Sequence, residues 1–500
     1  MPAELHAYLA LHARERPDAL ALASAGARWS YGELDAFVGD YAAGLAAEGV
    51  ARGDVVAMHG FSRPECLAVF LACCRLGATF LGLSPKSTVR ELSYVVSDAQ
   101  PRLVVAVDPG ELEGLEPRRP VIAPEALLGR GAAPAPARGT DDPCAIVYTS
   151  GSTGAPKGAL LSQRSIVRSA ELTVDHWYGG REGLRTLAQL PINHVGWLVC
   201  ECVSALVAGG AVVFRERFDG GETLRLIAQE RLTLWLAFPS MVALAMRSPE
   251  FEGCDLSSLR RVAFGSMPSV ELLARLRERT GAVFSVSYGL TEASGGAVTT
   301  TDAGADASTV AGTIGRPVPG LETRIVDPEG RDVAAGESGE LLVRDPCVFL
   351  GYLHRPDATA AALDENGWLH TGDAVAADPD GNLRMVGRLK EMFKSGGYNV
   401  YPTEIETVIS TCDAVSAVAV VDVPDPLWSE VGVAFVVPAA GARVRPEELR
   451  EHARARLANY KVPKRFVVVD SLPQLPNGKA DKVALREQAR RLVDSYESIA

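Results

Sequence analysis

The chain has 500 residues, 47% of them hydrophobic and 22% charged, the composition of a globular protein with more than one core. Its 50 Lys and Arg against 62 Asp and Glu give a formal net charge of −12, which removes any electrostatic reason to expect nucleic acid or an anionic membrane as partner. An anionic small molecule would have to be held by a local site against the overall field.

The opening stretch, MPAELHAYLALHARERPDA, lacks a basic segment followed by a long apolar run, so no signal peptide is expected. Short apolar runs then alternate with amphipathic stretches. DVVAMHG (54–60) reads as a strand, PECLAVFLACCRLG (64–77) as a helix and ATFLGL as a second strand. RLVVAVD (102–108), AIVYT (145–149), AVVF (211–214) and LRRVAFG (259–265) are further buried strands with helical segments between them. The alternation predicts an α/β fold with largely parallel sheets. Residues 128–142, LGRGAAPAPARGTDD, form a Pro/Ala/Gly linker.

The most apolar long stretch, Trp197 to Phe214, carries Glu201 and is broken at Gly209-Gly210. It predicts a buried helix, a glycine turn and a buried strand, with no membrane span. Past about residue 311, GLETRIVDPEGRDVAAGESGELLVR predicts a small β-rich subdomain of hairpins, turning at Pro328-Glu329-Gly330 and Gly336-Glu337-Ser338-Gly339. Asp378 to Gly381 predicts another hairpin turn. A boundary near 386–397 divides the chain into domains 1–389 and 390–500, the second a small α+β unit. Nine cysteines, at 66, 73, 74, 144, 200, 202, 254, 347 and 412, contain no C-x-x-C pair and read as reduced core residues of a cytoplasmic protein. A metal site at Cys200 and Cys202 lacks a second Cys/His pair.

The segment with the most chemistry is VYTSGSTGAPKG (147–158). It lies between the strand AIVYT and a helix for which Ser162 is the expected N-cap. Glycines let backbone N–H groups converge on an anion, hydroxyls add donors, and Lys157 adds a point charge, as a polyphosphate requires. The loop is not a Walker loop, because Gly154 is followed by Ala-Pro-Lys, and the chain has no G-x-G-x-x-G.

This loop resembles the phosphate-binding signature of the adenylate-forming superfamily, which includes acyl-CoA synthetases, carrier-protein adenylation domains and beetle luciferases. YGLTEAS (288–294), TGD (371–373), GRLKEMFKSGGYNVYPTEIE (387–406) and LPNGKADK (475–482) resemble its other motifs in order and spacing. The resemblance implies a large N-terminal α/β domain and a mobile C-terminal one. It also implies ATP, Mg²⁺ and coenzyme A as cofactors, and a small-molecule carboxylic acid as substrate.

By the same resemblance, Thr149, Ser150, Gly151, Ser152, Thr153, Gly154 and Lys157 hold phosphates. Tyr288 sits beside adenine, Gly265, Ser266, Met267 and Gly289 are further cofactor-binding positions, Thr291 meets the α-phosphate, and Glu292 is the metal ligand. Asp373 and Arg388 bind the ribose, Lys390 is the hinge, and Lys394, Gly396 and Gly397 line the pantetheine channel. Lys479 is the catalytic lysine, an ammonium placed between two anions. His194 is the gate to an acyl pocket formed by Trp197, Cys200, Phe238, Met241, Gly265, Gly289, Ser294 and Gly296. Val195 stands where amino-acid-activating relatives carry an aspartate, which implies a substrate without an α-ammonium. Gly265-Ser266-Met267-Pro268 departs from the Gly-Ala-Pro form of many relatives. The implied activity is ATP-dependent acyl-CoA ligation through an acyl-adenylate. The alternatives are an adenylating enzyme that loads a carrier protein in trans and a relative that performs only one half-reaction.

Overall fold

The computed structural model describes residues 4–132, 134–137, 139–149, 156–395, 398–425, 427–474 and 480–497, with side chains to 492. The chain forms two compact units. The first takes in residues 1–324, 342–371 and 378–384, and the second 325–341, 372–377 and 385–500.

The first unit contains the predicted parallel sheets. Its largest sheet has seven strands in the spatial order 351–352, 157–162, 143–149, 79–83, 55–59, 103–106 and 121–122. The five strands from 143–149 onward run parallel, and the first two are antiparallel to their neighbours. Parallel strands covered on both faces favour apolar residues at nearly every position, as in Thr79–Leu83, which is buried throughout. Helix Pro64–Leu76 links two of them and ends at Gly77, whose φ of 72° supplies the left-handed cap. Helix Val89–Ala99, started by a Thr88/Glu91 capping box, packs Leu92, Val96 and Ala99 against Leu81, Val104 and Ile146. Burying side chains of this kind contributes about 1.5–3 kcal/mol each.

A second sheet places 234–237, 261–264 and 283–288 side by side in parallel, with 299–300 and 316–317 added antiparallel. A third has the order 27–30, 20–24, 211–214, 185–188. The apolar stretch from Trp197 is a buried helix as expected, but Gly196–Val203 has π-helical hydrogen bonding before Ser204–Ala208 becomes α. Composition carries no mark of that shift, because the same side chains fit either winding. Gly209 (φ 64°) ends the helix before strand Ala211–Phe214. Among the described residues no helix is long and apolar enough to cross a membrane. All nine cysteines are free, and Cys254 and Cys412 alone are more than marginally accessible.

The second unit holds most of a four-stranded sheet ordered 322–326, 338–344, 369–377, 383–388. The turn at 327–330 forms as predicted, closed by Gly330 N–H to Asp327 O. The next turn lies earlier than expected, at 334–337, because Ser338 and Gly339 already belong to the following strand. Asp378–Gly381 is a turn between paired strands, as expected.

The C-terminal part is α+β. Strand Val415–Asp425 pairs with Ser429–Pro438, which also pairs in parallel with Arg465–Val468. Its alternate residues enter two different cores. Val420 faces Ile405, Ile409 and Leu449, whereas Ala419, Val421 and Val423 face Leu485 and Ala489. The unbroken apolar run results from helices covering both faces.

Candidate nucleotide and acyl site

The glycine-rich loop is not a strand-to-helix connection. Lys157–Ser162 is itself a strand, antiparallel to Pro143–Thr149, with Thr149 opposite Lys157. Helix Gln163–Leu172 starts only after it, capped by Ser162 as expected. The short run ALLS gave no turn signal to separate it from the helix. Ser150, Gly151, Ser152, Thr153 and Gly154 lie outside the described residues. The loop's two ends are tied down. Tyr148 OH donates to Asp98 at 2.7 Å, Arg355 donates to the same carboxylate at 3.0 Å, and Tyr94 OH donates to Pro156 O at 2.9 Å.

Lys157 Nζ stands 4.7 Å from the ring centroid of Tyr352. The Tyr352 hydroxyl donates to Glu292 Oε1 at 2.6 Å. The first residue of strand Lys157–Ser162 and a carboxylate distant in sequence therefore meet at one aromatic residue, to which no motif had pointed.

Glu292 lies beyond the carboxyl edge of the second sheet. The three parallel strands there end at Ala237, Phe264 and Tyr288, and the next residues are Phe238, Gly265 and Gly289. This is the edge where α/β proteins place ligands. The sheet brings these three sequence candidates together, with Ser266 and Met267 next in the chain. A Cβ on Gly265 would lie 3.0 Å from Phe238 Cε1, and one on Gly289 would run into the Gly296 carbonyl. Thr291–Ala293 form a single 3₁₀ turn, and Ser294 (φ 55°) donates to Cys347 O at 2.8 Å. Ser169 and Thr173, one helical turn apart, clamp the segment from Ser294 to Ala297. Ser169 Oγ donates to Ser294 O, and both hydroxyls accept from the backbone N–H groups of Gly296 and Ala297. The space a side chain at Gly296 would take is thus filled by those two hydroxyls. The i, i+4 hydroxyl spacing was the available signal for this clamp.

The acyl-pocket candidates separate by burial. His194 is exposed, and its Nδ1 accepts from Gly196 N–H at 3.0 Å. Trp197 is fully buried, its indole donating to Ser62 Oγ at 2.8 Å. Cys200 Sγ lies 3.2 Å from Gly295 O, and burial pushes its thiol up to about 12. Met241 is buried, and Val195 occupies the space beside Gly295 (φ 73°). Glu201, also fully buried, accepts from the N–H groups of Gln189 and Leu190 at 3.2 Å. Its other oxygen has no protein partner among the described residues. Burial, only partly opposed by those two bonds, raises this carboxyl well above the ordinary glutamate range.

In the second unit Asp373 sits mid-strand in Leu369–Ala377, almost wholly buried, with Arg388 Nε 3.1 Å away. The adjacent Gly372 (φ 69°) donates to Glu340 at 2.9 Å. Lys390 lies in the 3₁₀ turn Leu389–Glu391, and the Lys394 N–H donates to Glu430 at 2.8 Å. Gly396, Gly397 and Lys479 lie outside the described residues. Lys482, to which the motifs assign no role, pairs with Glu391 at 2.6 Å and Glu406 at 3.0 Å.

The donor set suits a metal bound through phosphate. Among the described residues no cluster of three or more His, Cys, Asp or Glu forms a metal cage. Glu292 offers one carboxylate oxygen beyond the one that Tyr352 engages. Mg²⁺ is held in this fashion, by one or two carboxylates, waters and substrate phosphates.

Residues 9–353 match the family model of the AMP-binding enzymes, and residues 404–479 match the AMP-binding enzyme C-terminal domain. The chain belongs to this adenylate-forming family. It is an AMP-forming ligase of the acyl-CoA and amide-bond synthetase kind. It is 38% identical over 496 residues to a feruloyl-CoA synthase from Amycolatopsis sp., covering 95% of this chain and 97% of that one. It is 37% identical over 508 residues to an indoleacetate–CoA ligase from Aromatoleum aromaticum, covering 98% of each. The crystal structure of ATP-bound MatB from Rhodopseudomonas palustris superposes with a TM-score of 0.87 at 32% identity, covering 98% of this chain and 99% of that one.

Proposed function

We propose that the protein joins an aryl-substituted carboxylic acid without an α-amino group to coenzyme A, at the expense of ATP. The observation that carries the reading is the meeting of Lys157 and Glu292 at Tyr352, beside the carboxyl edge of three parallel strands. A phosphate-binding lysine and a metal-binding carboxylate are what a triphosphate requires at its two sides. The feruloyl and indoleacetate enzymes, similar over their full lengths, support an aryl acid. So do the apolar Trp197, Cys200, Phe238 and Met241 and the uncharged Val195.

In this reading the carboxylate passes His194 and attacks the α-phosphorus, with pyrophosphate leaving toward the 149–158 loop. Thr149, Ser150, Gly151, Ser152, Thr153, Gly154 and Lys157 hold the departing phosphates, and Thr291 donates to the α-phosphate. Tyr288 and Gly289, with Gly265, Ser266 and Met267, flank the adenine. Asp373 accepts from the ribose hydroxyls, to which Arg388 donates. Lys479 stabilises charge between carboxylate and α-phosphate. Mg²⁺ bound at Glu292 supplies neutralisation of the phosphate charge. Residues 390–500 then turn about Lys390, the thiol of coenzyme A enters past Lys394, Gly396 and Gly397, and AMP departs. A cytoplasmic setting accords with the free thiols, seven of the nine buried.

ATP–pyrophosphate exchange across acids of differing ring count and chain length, then CoA-dependent AMP release, tests both steps. Exchange should be fastest with aryl acids, and CoA should release AMP. If no free acid supports exchange while a supplied acyl-adenylate is consumed with CoA, only the second step survives. AMP release with an acylated carrier protein but not with CoA would move the acceptor to a carrier.

A further inference from the structure

Tyr352 lies outside every motif that pointed to the site, yet its backbone is pinned on both sides. It belongs to the two-residue strand Gly351–Tyr352, which pairs with the strand that begins at Lys157, Tyr352 opposite Ala159. Leu350 and Leu353, on either side, donate to Leu160 O and Gly158 O at 2.9 and 2.8 Å. The Tyr352 N–H itself donates to Thr359 Oγ1 at 2.9 Å. The ring meets Phe349 edge-on, with centroids 4.9 Å apart. Phe349 N–H in turn donates to the backbone carbonyl of Glu292 at 2.8 Å. Backbone pairing therefore ties this ring to both the lysine strand and the glutamate turn.

We infer that Tyr352 is a positioning residue for adenylation. Its hydroxyl fixes one oxygen of Glu292 and so aims the other at the metal, while its ring face steers the Lys157 ammonium toward the phosphates. The 2.6 Å bond to a carboxylate is a short, charge-assisted one. Carboxylates that ligate metals are oriented by such partners, whose loss costs about 10- to 100-fold in metal affinity. The ammonium at 4.7 Å from the centroid is within cation–π range. The two functions are separable, because phenylalanine keeps the ring and loses the hydroxyl. The inference rests on the reading of Glu292 and Lys157 as metal and phosphate groups.

The test uses the full chain with a non-hydrolysable ATP analogue. Mn²⁺ binding is measured by electron paramagnetic resonance, metal-free analogue binding by calorimetry, and folding by thermal melting. Tyr352→Phe should melt as wild type, bind the metal-free analogue normally and bind Mn²⁺ about 10-fold more weakly. Tyr352→Leu should in addition weaken the metal-free analogue about 3-fold. Glu292→Gln should weaken Mn²⁺ at least as much as Tyr352→Phe, and combining the two should add little, since one acts through the other. Wild-type Mn²⁺ binding by Tyr352→Phe beside a clear defect in Glu292→Gln would overturn the inference and leave the site standing. Fully additive losses would overturn it as well. Wild-type binding by Glu292→Gln would remove the functional reading and this inference together. Should Tyr352→Leu fail to fold, Tyr352→Phe still decides the metal-orienting role.

Discussion

Arg388 places its Nε 3.1 Å from the carboxylate of Asp373, a guanidinium 55% exposed against a partner that keeps 2% of its side-chain surface. Removing the arginine takes a countercharge from a buried carboxylate, whereas removing both charges leaves none to compensate. A wholly buried pair broken on one side costs about 3–5 kcal/mol. With the arginine half in solvent, Arg388→Ala should cost about 1–2 kcal/mol in urea unfolding. Arg388→Ala with Asp373→Asn should recover most of that loss. Asp373→Asn alone should raise the KM for ATP in pyrophosphate exchange by roughly 10-fold, the worth of one hydrogen bond to a charged group. An unchanged KM would remove Asp373 from the ribose site.

Lys479→Ala should lower the rate of adenylation by ~10²–10³, about 3–4 kcal/mol on the barrier, as for one preorganised donor. Attack of CoA on a supplied acyl-adenylate should change far less. Single-turnover measurement of each half-reaction checks this, and equal losses in both would refute the assignment.

Glu201 gives a pH signature. Its carboxyl is raised in the folded state, mainly by burial, so the folded protein holds a proton that the unfolded chain gives up at ordinary glutamate pKa. Stability from this group is therefore full at acid pH and falls as pH rises past that value, at up to about 1.4 kcal/mol per unit. Glu201→Gln, neutral at every pH, should remove this dependence. The difference in unfolding free energy, variant minus wild type, should grow more positive from about pH 5 upward. A flat difference would mean that Glu201 ionises freely in the fold.

Gly296 is packed under Ser169 and Thr173, so Gly296→Ala has nowhere to put its methyl group. Overpacking of this kind costs about 1–3 kcal/mol. Thermal melting should show the loss, and Ser169→Ala should restore only part of it, since the backbone carbonyl of residue 169 still stands close. A stable Gly296→Ala would show that the clamp yields easily.

The strands at 55–59, 79–83, 103–106 and 211–214 were legible because a doubly covered strand is made mostly of apolar residues. The capping role of Ser162 was legible for a similar reason, since few residue types satisfy a free helix N–H. The π-helical bonding near Trp197 was not, and neither was the strand at 157–162, too short to show a period of two. Of the candidate site, the residues after three adjacent strand ends could be picked out by position, and the sheet sets Phe238 against Gly265. Tyr352, Ser169 and Lys482 escaped notice because each acts through a partner far off in sequence, and a lone tyrosine, serine or lysine carries no local mark of that.

Lys157 belongs to a strand and not to the glycine-rich loop, so strand pairing sets its place. Ladder pairing opposite Thr149 anchors its backbone. Slippage of that ladder by a single residue would turn Lys157 to the opposite sheet face and away from Tyr352. Engineering of this segment thus has no freedom in the stem's alignment.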